Sequence, residues 1–402
     1  MNNILKPHVI VFVTVMSSFI LWWLPIDTRK GFLIEEDLAA KSILLVLFWY
    51  TSVIFFAYIG YSFGKKIKPI EMLNKSSLIV NNYFYRFISI LSIIGILFTY
   101  VTVIVNNPNF IFDILDANAN QLKYTLYDNY SQGLHSLRYL TIVSGALAIL
   151  KLIKRQQSIL DWINIVAVLM TALVSSRLAI VMLMVLLFCS LIQQRIKVKR
   201  GILITLGILM FFALTIFNYT RNANFYRDHY NIENPILMNL AEIMTYLGTP
   251  FQATLGVLNN IEHFNRTTTL TELISFIIPE TFHGLLGIEV NFISTYRYFV
   301  NLEDALTTNS SLVLLVDSIG FYSFFIIIFT VIVYSVIIGH FSNYSNALVL
   351  ISYIFLYCMF ELWRTFLFNQ GIVHTLAIGT ILSYICALII YLMTRSRSLK
   401  EG

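Results

Sequence analysis

The residues best placed to do chemistry are arginines at the ends of apolar runs. Arg177 sits at the tip of a tight apolar hairpin, in Ser175-Ser176-Arg177. Arg221 follows a run in Tyr219-Thr220-Arg221-Asn222, and Arg364 follows another in Glu361-Leu362-Trp363-Arg364. A guanidinium is planar, always charged and bidentate to phosphate oxygens, so three on one face could converge on a pyrophosphate. Each also has a plainer reading as an interfacial anchor, and for Arg364 the glutamate three residues earlier is a ready partner. An unpaired arginine near hydrocarbon costs roughly 2.5–3.5 kcal/mol even on the gentler insertion scale, so each needs water or an anion. Among the carboxylates Asp317 stands out, inside an apolar run at Leu315-Val316-Asp317-Ser318-Ile319-Gly320. An ionisable group within a span is a functional hypothesis by default, unless the helix starts near it and leaves it wet. Glu280 and His283, in Pro279-Glu280-Thr281-Phe282-His283-Gly284, could take a proton from a hydroxyl. Arg297, in Thr295-Tyr296-Arg297-Tyr298, is a further cation of the same stretch, and the bland reading of Arg297 and His283 is solvated surface.

What must position these groups is a membrane scaffold. Hydrophobic residues make up 58% of the chain and charged residues 12%, with a mean hydropathy of +0.76, against about 25% charged in soluble domains. That composition predicts an all-α polytopic membrane protein. Runs long and apolar enough to cross a hydrocarbon layer of about 30 Å number about ten. They fall at 8–26, 39–63, 84–105, 135–152, 159–174, 178–192, 202–219, 311–338, 347–362 and 372–393. Domain organisation follows: helices one to seven in 1–217, a long loop over 218–310, and helices eight to ten with a tail in 311–402. Alternate connections carry Lys6; Lys65, Lys66, Lys68 and Lys75; Lys151, Lys154 and Arg155; Arg195, Lys197, Lys199 and Arg200; and Arg395, Arg397 and Lys400. By the positive-inside rule that side is cytoplasmic and holds both termini. The long loop is then extracytoplasmic, together with Arg138, Arg177 and Arg364. The basic balance, net +6, is explained by these orientation signals and does not point to nucleic acid.

The long loop concentrates polar chemistry: four arginines, three of the seven histidines and nine carboxylates from Asp228 to Asp304. Within it, 235–258 and 270–286 have apolar residues at helical spacing and read as amphipathic helices lying on the membrane or dipping into it. A second extracytoplasmic segment, 106–133, carries Asn118, Asn120, Gln121, Tyr124 and Tyr127. Rings can stack on a sugar while amides bond its hydroxyls, and a solvated loop with interfacial tyrosines is the alternative. Cys189, Cys358 and Cys386 show no metal or disulfide spacing. Glycine-rich phosphate loops, zinc-protease signatures, nucleophile elbows and internal repeats are absent from the sequence, so neither metal nor cofactor is expected.

The ten-span layout, the Ser175-Ser176-Arg177 hairpin, the long loop opened by Arg221, and the final spans from Asn309-Ser310-Ser311 through Asp317-Ser318-Ile319-Gly320 resemble one family. It is that of the bacterial O-antigen or capsule repeat-unit polymerases, the Wzy family. The resemblance implies a metal-independent, GT-C-like glycosyltransferase of the bacterial inner membrane, without cofactor. It would polymerise undecaprenyl-pyrophosphate-linked oligosaccharide repeat units, donor and acceptor both lipid-linked, at the periplasmic face. Arg177 and Arg221 match the positions expected to hold pyrophosphate, with Arg297 and Arg364 beside them. The base would be Asp317, His283 or Glu280. A chain-length regulator and a flippase are the partners such a system admits. Two rivals remain: an O-antigen ligase transferring glycan to lipid A–core, and a flippase or transporter for the same lipid. The latter is expected to carry ionisable groups deep in several spans and an inverted repeat.

Overall fold

The computed structural model describes residues 3–23, 39–74, 78–116, 118–129, 131, 133–174, 178–196, 200–264, 268–288, 295–298 and 310–398. Among these residues all regular structure is helical. In chain order the α-helices are α1 (Pro7–Trp23), α2 (Ala40–Lys66), α3 (Leu78–Asn106), α4 (Phe110–Leu115), α5 (Asn120–Asp128), α6 (Thr141–Ile153), α7 (Ile159–Val174) and α8 (Leu178–Gln193). There follow α9 (Arg200–Tyr230), α10 (Pro235–Asn259), α11 (Leu270–Ile277), α12 (His283–Leu286), α13 (Ser311–Ile319), α14 (Tyr322–Phe341), α15 (Val349–Glu361) and α16 (Gly371–Ser398).

Each expected apolar run contains helix, but among the described residues six helices are long and apolar enough to cross a membrane: Ala40–Lys66, Ile79–Asn106, His135–Ile153, Arg200–Tyr230, Tyr322–Phe341 and Gly371–Thr394. Four more, α1, α7, α8 and α15, are apolar and shorter. At 1.5 Å per residue the shortest of them, α15, reaches only about 20 Å. The run expected over 311–338 is two helices. The break is at Gly320, whose φ of 57° lies in the left-handed region that glycine reaches without steric cost. Asp317 therefore belongs to α13, a short buried helix, and not to α14, the helix long and apolar enough to cross a membrane. Nor does position 218 begin a loop: α9 continues helical to Tyr230.

The chain divides into two compact units. The first comprises Met1–Ile67, Leu240–His340 and Phe355–His374. In it α1 packs antiparallel to α2, with His8 edge-on to Tyr58 at 5.2 Å. Helices α2 and α14 run parallel and close: Trp49 meets Phe324 at 4.6 Å, and further along Gly60 and Gly64 face Ile332 and Val336. A Cβ on Gly60 would lie 2.7 Å from the Ile332 carbonyl oxygen, and one on Gly339 2.6 Å from that of Tyr61. Small residues four apart let two helix backbones approach, the usual device where lipid cannot drive association.

Helix α10 is the element expected to lie on the membrane or dip into it. Its C-terminal half is enclosed by protein, with Thr249, Gln252 and Thr254 buried beside Phe251, Ala253, Leu255, Val257 and Leu258. Trp22 on α1 hydrogen-bonds Gln252, Tyr50 on α2 bonds Thr254, and Thr254 donates to Ser310, the N-cap of α13, at 2.7 Å.

The second unit comprises Lys68–Asn239, Phe341–Ile354 and Thr375–Gly402. Helices α3, α6, α7 and α8 form its bundle, cross-linked by Ser92 to Ser144 at 3.2 Å and by Thr141 to Thr171 at 2.9 Å. A buried ion pair, Lys151 to Asp161 at 3.1 Å, closes one end, where Asp161 also accepts from the Ser158 amide and hydroxyl. Leu122 and Leu126 pin α5 against Val103 and Val174.

Candidate functional site

The second unit assembles a cationic site from segments a hundred residues apart. The Ala119 amide donates to the Thr220 carbonyl at 3.0 Å, and the Asn120 side chain to the Arg221 carbonyl at 3.1 Å. Asn120 also reaches the Asn222 side chain at 3.4 Å. The amide-rich segment is thus fastened to the projecting end of α9. Arg221 is half-buried, and its guanidinium donates to the Leu173 carbonyl at 2.7 Å. Leu173 lies one residue from the end of α7 and four before Arg177 in sequence; Arg177 itself falls outside the described residues. Lys123, on α5, is near enough to feel Arg221: burial and then the guanidinium hold its ammonium below the ordinary lysine value. Two cations mutually raised in energy form a place where an anion gains from both. Around it, Tyr124 and Tyr127 of α5 are 59% and 49% exposed, and the Lys123 ammonium lies over the Tyr127 ring at 5.7 Å.

The first unit holds the other candidates. Arg364 is engaged by Glu361: its Nε and Nη2 lie 2.8 Å and 2.7 Å from Oε2, while the Tyr357 hydroxyl donates to Oε1 at 2.7 Å. Its guanidinium also lies over the Tyr246 ring at 4.9 Å. The plainer reading of Arg364, a partner for Glu361, is what the structure holds. Asp317 is buried and ties down Thr295, whose amide lies 3.1 Å and 3.0 Å from the two carboxylate oxygens and whose hydroxyl donates at 2.7 Å. It thereby anchors the turn Tyr296–Tyr298; the side chain of Arg297 lies outside the described residues.

Glu280 and His283 share one turn. The Glu280 carboxylate accepts the amide of Gly371, first residue of α16, and its own amide donates to the Asn369 carbonyl at 2.7 Å. A carboxylate at a helix N-terminus is favoured by the partial positive charge there. Its edge reaches the surface, yet burial of the rest raises its pKa, opposed by Gly371 and His283. His283 Nε2 lies 2.9 Å from the Ile278 carbonyl, which fixes the ring. Among the described residues no three His, Cys, Asp or Glu side chains gather as a metal site would require.

Two features escaped the sequence reading. Arg138, read there only as an orientation marker, is fully buried, bonding the His135 carbonyl at 2.6 Å and the Tyr139 hydroxyl at 2.7 Å. The connection after Glu361 is no external loop either: Trp363, Phe366, Leu367, Phe368 and Asn369 are all buried. Run lengths of apolar residues carry no signal of either, although the aromatic density of 363–368 is a weak hint. Searched against protein-family models, curated proteins and solved structures, the chain matches none.

Proposed function

We propose that this chain is a membrane glycosyltransferase that joins oligosaccharide repeat units carried on a lipid pyrophosphate, as the Wzy polymerases do. The observation that carries this reading is the meeting of Arg221 and Lys123 with the amide-rich helix α5. The diphosphate of a lipid-linked sugar needs cations, and its glycan needs amides and exposed rings; α5 and the end of α9 offer both. In the reaction an acceptor hydroxyl oxygen attacks the anomeric carbon of the donor. The bond from that carbon to the pyrophosphate oxygen breaks, the electron pair leaves with the lipid pyrophosphate, and a base takes the hydroxyl proton. Arg221 and Lys123 stabilise the departing charge, the commonest large term in such catalysis. Arg177, expected from the sequence to hold pyrophosphate, lies outside the described residues. Within the first unit, taken by itself, the Asp317 oxygens are already occupied by Thr295, while Glu280 and His283 share one turn.

The test is synthesis from purified protein and undecaprenyl-pyrophosphate-linked repeat units, resolved by glycan length. Wild type makes a ladder. Losing one charge-assisted contact costs about 1.5–3 kcal/mol, so Arg221→Ala and Lys123→Gln each slow it roughly ten- to hundredfold. Arg221→Lys recovers part of the loss. Absence of a ladder from folded wild type overturns the polymerase, and product appearing only when lipid A–core is added identifies a ligase instead.

A further inference from the structure

The stretch 270–288 is exposed in a way that water does not favour. Leu270, Leu285 and Leu286 are 71%, 84% and 58% exposed, and Ile277 and Phe282 contribute to the same apolar surface. Yet its backbone is held inside the first unit. The Glu280 amide bonds the Asn369 carbonyl, and the Phe276 ring meets Phe366 at 6.3 Å.

Helix α14 measures how deep that is. Phe368 stacks on Tyr334 at 4.6 Å and accepts from its hydroxyl at 3.0 Å, and His374 Nε2 lies 2.6 Å from the same Phe368 carbonyl. Tyr334 comes twelve residues after Tyr322, the first residue of α14, or about 18 Å along the axis. Helical side chains lean toward the N-terminus, which takes back about 5 Å. The 366–371 connection, and the Glu280 turn bonded to it, therefore lie on the order of 10–15 Å below the start of a helix whose 20 residues match a hydrocarbon layer of about 30 Å. At those levels α14 itself shows Phe325, Phe329 and Val333 outward, a stripe at four-residue spacing such as lipid-facing helices present.

Chain direction supplies a second, independent constraint. Helices α2 and α14 are parallel, so the chain between them crosses the membrane an odd number of times. The spans of α3, the 135–153 helix and α9 make three, and α7 with α8, joined by three residues, come and go as a pair. The remainder, 231–321, must cross an even number of times. An element within it that reaches bilayer depth enters and leaves on one side, unless a second segment crosses with it.

We propose that 270–288 is a re-entrant element whose Leu270, Leu285 and Leu286 contact lipid acyl chains, presenting the Glu280–His283 turn to the bilayer interior. Hydrocarbon tolerates such backbone only where its polar groups are paired. Pairing of this kind is present: Thr269 and Glu272 form a capping box on α11, the Ile278 amide bonds Ile274, that of Phe282 bonds Pro279 and that of Ile288 bonds His283. A headgroup carried by a membrane lipid reaches Glu280 laterally, without first leaving the bilayer.

The test is fluorescence quenching of full-length protein in phosphatidylcholine vesicles, with a bimane label on Leu285→Cys in a Cys386→Ser background. Cys386 is the exposed native cysteine, and Leu285 is too exposed for the label to disturb packing. A label on Phe329→Cys is the lipid-facing reference and the free bimane–cysteine adduct the aqueous one. The re-entrant element predicts quenching by mid-chain brominated lipid within twofold of the Phe329 label, and iodide quenching at least fivefold weaker than the free adduct. Iodide quenching equal to the free adduct, or quenching only by lipid brominated beside the headgroup, overturns it.

Discussion

The Glu361–Arg364 pair allows a quantitative test of what an arginine at a span end is for. The side chain of Glu361 is 6% exposed and that of Arg364 20%. Oε2 receives two guanidinium hydrogens and Oε1 the Tyr357 hydroxyl. Arg364→Ala leaves a buried carboxylate with one neutral donor, and breaking a buried pair from one side costs about 3–5 kcal/mol. Glu361→Leu strands the guanidinium over Tyr246 at a similar cost. The double variant Glu361→Leu/Arg364→Leu removes both charges and orphans only the Tyr357 hydroxyl, a penalty of about 1–3 kcal/mol. The cycle is therefore strongly non-additive, with a coupling energy above about 2 kcal/mol. Unfolding in mixed micelles, titrated with denaturing detergent and followed by circular dichroism, measures it. Arg364→Ala within about 0.5 kcal/mol of wild type, or an additive cycle, would refute the structural pairing, since exposed pairs behave in that way. An Arg364 held ready for a phosphate would lose activity without losing stability.

Two further expectations use the same assay. Gly64→Val wedges a branched side chain into the α2–α14 contact and destabilises by about 1–3 kcal/mol or more. Gly207→Ala is its control, because nothing lies within 4 Å of the added Cβ on α9, and it is neutral or stabilising by up to about 1 kcal/mol; equal losses from both would dismiss the close approach. Lys123 sets a pH dependence. Its folded pKa lies below the unfolded 10.5, so the folded state holds that proton less tightly. Stability then rises with pH from the lowered value up to 10.5 and is lost again as pH falls through it. Melting temperatures should show this alkaline gain in wild type and not in Lys123→Gln; identical profiles would remove Lys123 from the influence of Arg221.

Composition and hydropathy suffice for the helical, membrane-like class of this protein and for the position of its apolar helices. Hydropathy is a local sum, and a run such as 40–66 has to be helical in a membrane because its backbone groups find partners nowhere else. The pairing of Glu361 with Arg364 was equally legible, being three residues apart on one turn. Tertiary structure decided everything that depends on contact at a distance. It split the eighth run at Gly320 and so put Asp317 on a short helix of its own. It drew the buried connection after Glu361 inward, and it enclosed α10, whose polar residues look amphipathic in sequence but bond Trp22, Tyr50 and Ser310. It joined Asn120 to Arg221 across 101 positions. Periodicity shows which face of a helix is polar. Which partner that face meets depends on helices far away in the chain, and only packing selects among them.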